Sequence, residues 1–191
     1  MLLLITTKQH KYGLIKHYTT IANSTSLPII VYNVPSRTGL NILPETCLEL
    51  SKVKNIVAIK EASGNISQVA KIKSLCKDNL QIYSGNDDQI LPVLSVGGIG
   101  VISVLSNIIP EKVCKMINDF LKGNIETASN MQINFIPLIE ALFCEVNPIP
   151  VKAALNLIGY NFGIPRLPLT EITNTNLELL KKELQKYRLI N

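Results

Sequence analysis

The sequence predicts an α/β fold with a parallel sheet, and three observations carry that prediction. Five short apolar runs, beginning at Leu2, Ile29, Ile56, Leu80 and Gly100, recur every 20–27 residues. Each is bounded by turn-forming residues, as buried strands are, and segments of helical periodicity fill the gaps. The 191 residues are 47% hydrophobic and only 17% charged, which suits a sheet covered on both faces. Strand–helix units repeated at this spacing give parallel strands joined by right-handed crossovers.

Taken in order, a strand at 2–5 is followed by a helix whose Leu14, Tyr18 and Ile21 share one face before Asn23. After a strand at 29–32, Pro44 suits the first turn of a helix, where Glu45 complements the positive end of the helix dipole. The strand at 56–59 leads to Asn65, with Gln68 three residues on. This capping-box pair opens a helix through Val69, Ile72 and Leu75. After a strand at 80–83, Asp87 or Asp88 caps a short helix that ends at Gly97-Gly98, a tight turn into a strand at 100–104. Pro110 and Glu111 open the next helix, closed by Gly123. From Asn124 onward only helices are evident. One carries Met131, Phe135, Leu138 and Leu142. Pro148 and Pro150 break the chain before another at 151–158, stopped by Gly159, and the last has Leu177, Leu180, Leu184 and Tyr187 on one stripe. The expected domains are a strand–helix domain over 1–123 and a helical domain over 124–191.

Composition narrows the function. The net charge is +5, but the lysines are scattered, and Lys181, Lys182 and Lys186 alternate with Glu178 and Glu183. That pattern reads as a solvated helix face rather than a nucleic-acid stripe. With no Trp the chain has little base-stacking capacity, so nucleic acid is not an expected partner. Cys47, Cys76, Cys114 and Cys144 have no CxxC spacing and no nearby histidine pair, and read as buried thiols in a reducing compartment. No metal site is expected: Asp87 and Asp88 lack a matching histidine, and His10 and His17 read as isolated surface residues. The apolar start, Met1-Leu2-Leu3-Leu4-Ile5, is too short for a membrane span and lacks the basic flank of a signal peptide. The expectation is a cytoplasmic protein without a membrane partner.

Two strand ends stand out. The run ending in Val31-Tyr32 and the run ending in Ile59-Lys60 each finish on a polar residue that a buried strand normally avoids. A lysine at the rim of an apolar strand is desolvated, which lowers its pKa and frees the amine for attack on a carbonyl. A phenol both donates and accepts, so Tyr32 is placed to shuttle protons. The plainer alternative is a snorkelling Lys60 and a core Tyr32 with a satisfied hydroxyl. Arg37 follows in the loop after the Tyr32 strand, where a guanidinium would grip a carboxylate bidentately; alone it would read as a surface arginine. Val57-Ala58-Ile59-Lys60 spells a kinase lysine motif, but no glycine-rich loop precedes it and no Asp-Phe-Gly follows. Gly97-Gly98-Ile99-Gly100 precedes its strand, so a tight turn explains it better than a phosphate cradle.

Six motifs in order carry a family resemblance. They are Tyr-Asn-Val-Pro-Ser-Arg-Thr-Gly (32–39), Ile-Lys-Glu-Ala (59–62), Ser-Gly-Asn-Asp-Asp (84–88), Gly-Val-Ile-Ser-Val (100–104), Asn-Pro-Ile-Pro-Val-Lys (147–152) and Arg-Leu-Pro-Leu-Thr (166–170). From about Leu14 onward the chain resembles the dihydrodipicolinate synthase / N-acetylneuraminate lyase family of pyruvate-dependent class I aldolases. The resemblance implies a (β/α)₈ barrel with a C-terminal helical domain, of which this chain holds about the last five strand–helix units. It implies a lyase that condenses pyruvate with aspartate semialdehyde to 4-hydroxy-tetrahydrodipicolinate in lysine biosynthesis. Lys60 would be the Schiff-base lysine and Tyr32 the proton donor and acceptor. Arg37 would bind the carboxylate of the semialdehyde, and Gly85 and Ile102 would line the pyruvate pocket. The covalent imine serves in place of a metal or organic cofactor, and a homo-oligomer is implied.

The departures from the family set further expectations. A barrel of this kind typically needs about 250 residues, so the chain reads as the C-terminal two-thirds, without the first three strands. The family's Gly-Thr-Thr-Gly loop is absent. The fourth strand should end in Tyr-Tyr-Asn, but here Ile5 is followed by Thr6-Thr7-Lys8-Gln9-His10, and Tyr12 is out of register to replace the relay tyrosine. Little synthase activity is expected from this chain alone. The alternatives are a sister pyruvate aldolase such as N-acetylneuraminate lyase, against which Ser36-Arg37-Thr38 argues, and a catalytically dead barrel remnant that only associates with full-length subunits.

Overall fold

The apolar runs pair side by side. The computed structural model describes residues 2–3 and 11–191. The remainder of the first expected strand, the Thr6-to-His10 segment and the surface assignment of His10 lie outside the described residues. Among the described residues one all-parallel sheet forms in strict chain order: β1 (Leu2–Leu3), β2 (Ile29–Asn33), β3 (Ile56–Glu61), β4 (Gln81–Ser84) and β5 (Gly100–Val101). Helices α1 (Lys11–Asn23), α2 (Pro35–Thr38), α3 (Pro44–Leu50), α4 (Ile66–Cys76) and α5 (Ile90–Ser95) link the strands. The chain divides into two compact units, Met1–Ile102 and Ser103–Asn191.

The core of the first unit follows from strand periodicity. Val31, Ile59 and Ile82 are paired across β2, β3 and β4, so their side chains share one face. They bury against Leu14 and Tyr18 of α1, Cys47 and Leu50 of α3, Val69 and Ile72 of α4 and Val93 of α5. Each fully buried isoleucine is worth about 1.5–3 kcal/mol of transfer free energy. α1 buries Ala22 rather than the expected Ile21, which packs only at the margin. Asn65 caps α4 as expected, its side chain accepting from the Gln68 N–H at 3.0 Å. The reciprocal arm of the capping box is absent, because the Gln68 amide reaches instead to Asn41 and Glu61.

Two expectations near β4 and β5 are corrected. Asp87 and Asp88 lie inside a 3₁₀ turn, Asp87–Gln89, and the residue that precedes α5 is Gln89, which makes no side-chain cap bond. β5 stops at Val101, not at 104, because Val104 adopts a helical backbone and the Ser103 hydroxyl accepts from the Ser106 N–H at 2.8 Å. Gly97, at φ 94°, makes the expected helix-to-strand turn.

The second unit holds α6 (Pro110–Leu121), α7 (Ile125–Leu142), α8 (Ile149–Leu157) and α9 (Asn174–Lys186). α6 falls within this compact unit. Pro150, read as a breaker, sits in the first turn of α8, where a missing N–H is tolerated. Thr173 precedes α9 without capping it through its own side chain. Glu145, in the loop after α7, braces this end instead: its Oε1 accepts from the Asn176 side-chain amide at 2.8 Å, the Thr173 N–H at 2.9 Å and the Thr173 hydroxyl at 2.8 Å. The Asn176 and Thr173 bonds hold its carboxyl below the usual range. Leu180 and Leu184 are fully buried, and the Tyr187 hydroxyl donates to the Asn134 carbonyl of α7. Glu183, read as solvated, is only 5% exposed and pairs with Lys186 at 2.6 Å.

All four cysteines are free thiols, but only Cys47 and Cys76 are buried; Cys144 is partly exposed and Cys114 lies at the surface. Among the described residues no helix is long and apolar enough to cross a membrane.

Ile72, fully buried in α4, makes the packing testable. Ile72→Ala should cost about 2–5 kcal/mol in urea unfolding, whereas Leu27→Ala, at a position 62% exposed, should stay within about 0.5 kcal/mol.

Candidate active site

Backbone hydrogen bonds carry the sheet one step beyond the strand ends. The Asn33 carbonyl accepts from Ala62 N–H at 2.9 Å, Glu61 from Gly85 at 2.7 Å and Ser84 from Ile102 at 2.9 Å. Tyr32, Lys60, Gly85 and Ile102, four of the five residues singled out in the sequence, therefore line one rim at the carboxyl ends of β2 to β5. The fifth, Arg37, is delivered by α2. Pro35 opens that single turn and Gly39 closes it in the left-handed region at φ 67°, its N–H donating to the Pro35 carbonyl at 2.9 Å. Arg37 is exposed on the turn.

Tyr32 and Lys60 are register partners, and Lys60 is in turn opposite Tyr83. All three side chains share the face opposite Val31, Ile59 and Ile82. The Lys60 ammonium position lies 4.5 Å from the Tyr32 ring centroid, within cation–π range. Burial pulls the Lys60 amine below its ordinary value; the Asp87 carboxylate opposes the shift and the Arg37 guanidinium adds to it. Burial pushes the Tyr32 phenol up, with Arg37 pulling it back. Both shifts favour the uncharged forms, an amine with a free lone pair beside a phenol that holds its proton.

Gly85 is set by the close approach of the end of β3. A Cβ there would sit 2.6 Å from the Ala62 Cβ, 3.0 Å from the Glu61 carbonyl and 3.1 Å from the Lys60 Cε. The Ala62 Cβ and the Glu61 carbonyl, both fixed by the backbone at the end of β3, leave room only for glycine, and the Lys60 stem passes beside them. Ile102 is half-buried beside it.

Sequence reasoning missed a polar cluster on the other face of the same strand ends. Asn33 and Glu61 are 1% and 2% exposed. The Asn33 amide donates to Glu61 at 2.9 and 3.2 Å and to the Asn41 side chain at 2.9 Å, and the Asn33 Oδ1 accepts from the Ile42 N–H at 2.9 Å. Glu61 also accepts from the Ser63 N–H at 2.7 Å and the Gln68 amide at 3.2 Å. Gln68 and Asn41 exchange bonds of 2.8 and 3.0 Å. The signal was present as two adjacent polar residues, Tyr32-Asn33 and Lys60-Glu61, at the ends of apolar strands: both faces turn polar at once. Asp87, 2% exposed, is a further residue whose influence on Lys60 its chain position did not announce.

Among the described residues no group of three or more His, Cys, Asp or Glu is placed to hold a metal ion. A cavity of about 420 Å³ in the second unit, lined by Lys152, Ile164, Glu171 and Leu177 among others, contains none of the five predicted residues.

The Lys60 shift has a stability consequence with a definite sign. A lysine lowered in the fold binds more protons when unfolded, so its contribution to stability rises with pH. The penalty is complete below the folded-state pKa and is relieved as pH climbs toward the ordinary lysine value, about 10.4. Lys60→Met should therefore raise stability at pH 7 relative to the parent, and the advantage should shrink at pH 10.5, measured by urea unfolding at both values.

With this geometry in view, comparison with known proteins is direct. Residues 6–187 match the model of the dihydrodipicolinate synthetase family. A curated protein of Caldicellulosiruptor saccharolyticus named 4-hydroxy-tetrahydrodipicolinate synthase is 62% identical over 180 residues, covering 94% of this chain and 61% of that protein. The chain thus spans about three-fifths of the length of the curated relatives it matches. The crystal structure of dihydrodipicolinate synthase from Thermotoga maritima superposes with a TM-score of 0.95 at 41% identity, covering 99% of this chain and 65% of that one. A chloride-inhibited dihydrodipicolinate synthase from Acinetobacter baumannii, complexed with pyruvate, gives 0.93 at 34% identity over 99% of this chain and 65% of that one. The family match over residues 6–187, with the identity to these relatives and the superposition of the fold, places the chain in the dihydrodipicolinate synthetase family.

Proposed function

We propose that Lys60 is the Schiff-base nucleophile of a lyase that condenses pyruvate with aspartate semialdehyde to 4-hydroxy-tetrahydrodipicolinate, a step of lysine biosynthesis. The observation that carries this reading is the Lys60 amine, depressed by burial and held 4.5 Å over the Tyr32 ring at the carboxyl ends of a parallel sheet. The relatives' names and the pyruvate complex of a similar structure support the same substrates. The sheet is read as five units of a (β/α)₈ barrel over 1–123, with a helical domain over 124–191.

In this reading the neutral Lys60 amine attacks the ketone carbon of pyruvate. Tyr32 gives a proton to the departing hydroxyl, water leaves, and a protonated imine links lysine to substrate. Loss of a methyl proton gives an enamine, whose carbon attacks the aldehyde of the second substrate; the aldehyde oxygen takes up a proton as the new C–C bond forms. The amino group of the semialdehyde then displaces Lys60 from the imine carbon, closing the ring and returning the free amine. Backbone groups at Gly85 and Ile102 border the pyruvate end, and Arg37 grips the semialdehyde carboxylate. The covalent imine does the work that a bound organic cofactor would otherwise do.

Incubation with pyruvate followed by borohydride reduction should place a stable adduct on Lys60, located by peptide mass. An adduct on another lysine of the folded protein would overturn the assignment. Arg37→Ala should leave this trapping within about twofold. Discharge of the imine by added aspartate semialdehyde should then need roughly 10- to 100-fold more of that substrate, the worth of a charge-assisted hydrogen bond. Equal loss of both steps would mark Arg37 as structural.

A further inference from the structure

We infer that the buried cluster of Asn33, Asn41, Glu61 and Gln68 is a positioning device for the two reactive side chains in front of it. Its meaning for catalysis rests on the imine reading above; its geometry does not. Asn33 follows Tyr32 and Glu61 follows Lys60, and successive residues of a strand point to opposite faces. A tie between Asn33 and Glu61 on the helix-covered face therefore fixes the backbone from which Tyr32 and Lys60 project on the other. The tie is the Asn33 amide donating to both Glu61 oxygens, at 2.9 and 3.2 Å.

The rest of the cluster braces that tie from independent elements. Gln68 reaches Glu61 from α4, the Ser63 N–H reaches it from the loop after β3, and Asn41 joins Asn33 to Gln68 from the loop before α3. Glu61 is a buried acceptor facing donors alone, so exchanging it for a group that also donates opposes N–H against N–H. With the tie lost, the ends of β2 and β3 keep their backbone ladder, including the Ala62 N–H to Asn33 carbonyl bond, but lose the side-chain brace that sets how Tyr32 and Lys60 project from it. Among the described residues, the other groups acting on Lys60 are Tyr32 from β2, Arg37 from α2, Tyr83 from β4 and Asp87 from the turn after β4. None of them replaces a side-chain bond between the two strand ends.

The test uses the intact chain and two readouts. Lys60 is labelled with acetic anhydride across a pH series and its labelling midpoint is read by peptide mass; pyruvate trapping is read per folded molecule. The parent midpoint should lie below that of an ordinary lysine. Glu61→Gln should move it upward as Lys60 gains water, and should slow trapping by on the order of 10²-fold, as misplacement by an ångström does. Combining Asn33→Asp with Glu61→Gln restores a donor–acceptor pair and should recover much of both. Gln68→Met leaves Glu61 its other two partners and should give a smaller shift of the same sign, which serves if Glu61→Gln does not fold. A folded Glu61→Gln or Gln68→Met protein with the parent's midpoint and trapping, whatever its Tm, would overturn the inference. If the parent shows the lowered midpoint but traps no pyruvate, the imine reading falls, and the positioning role is still decided by the midpoints of the variants.

Discussion

The pairing of β2 with β3 places Tyr32 opposite Lys60 and Asn33 opposite Glu61. Because the strands are parallel and in register, and side chains alternate with period two, this one pairing sets two surfaces at once. The front carries a phenol and an amine. The back carries an amide and a carboxyl group joined by hydrogen bonds. A slip of one residue would exchange them, burying the lysine under the helices and turning the carboxyl group toward Tyr32. Val31, Ile59 and Ile82 hold the register from below, since the same slip would take them out of the core.

The rim is electrostatically balanced rather than simply basic. A nearby carboxylate favours the charged form of a lysine, and Asp87 pulls Lys60 in that direction. Burial outweighs it here, with Arg37 adding like-charge repulsion. Tyr32 feels the same burial in the opposite sense, and Arg37 limits the rise. One guanidinium thus lowers both pKa values, while burial moves them apart by favouring the uncharged amine and the uncharged phenol.

The second unit is organised by a different device. The start of α9 is tied down by Glu145, a residue 28 positions before Thr173. The carboxylate meets the positive end of the helix dipole there. Leu180 and Leu184 then bury one stripe, and Tyr187 closes it against α7 through its ring contact with Phe135, centroids 6.2 Å apart, and its bond to the Asn134 carbonyl.

Much of this was legible in the chain. Apolar runs at a steady spacing and turn residues between them determine the strands, their parallel order and most helix starts, because strand burial, proline at a first turn and glycine after a last one are local matters. Lys60 and Tyr32 stood out because a polar residue ending an apolar strand is costly without a purpose, and the six motifs told the family. What the sequence could not express was direction and partnership. Asn65 and Gln68 spell a capping box, yet the Gln68 side chain left it for Glu61, because a buried carboxyl group needs donors more than an exposed helix start does. Asp87 read as a cap and Glu183 as solvated, yet packing buried both. The need for glycine at position 85 depends on Ala62, 23 residues away in sequence, whose Cβ would lie 2.6 Å from the Cβ that any other residue would carry. Such choices depend on which groups the sheet brings together after burial removes water as the competing partner, and only the tertiary structure decides that.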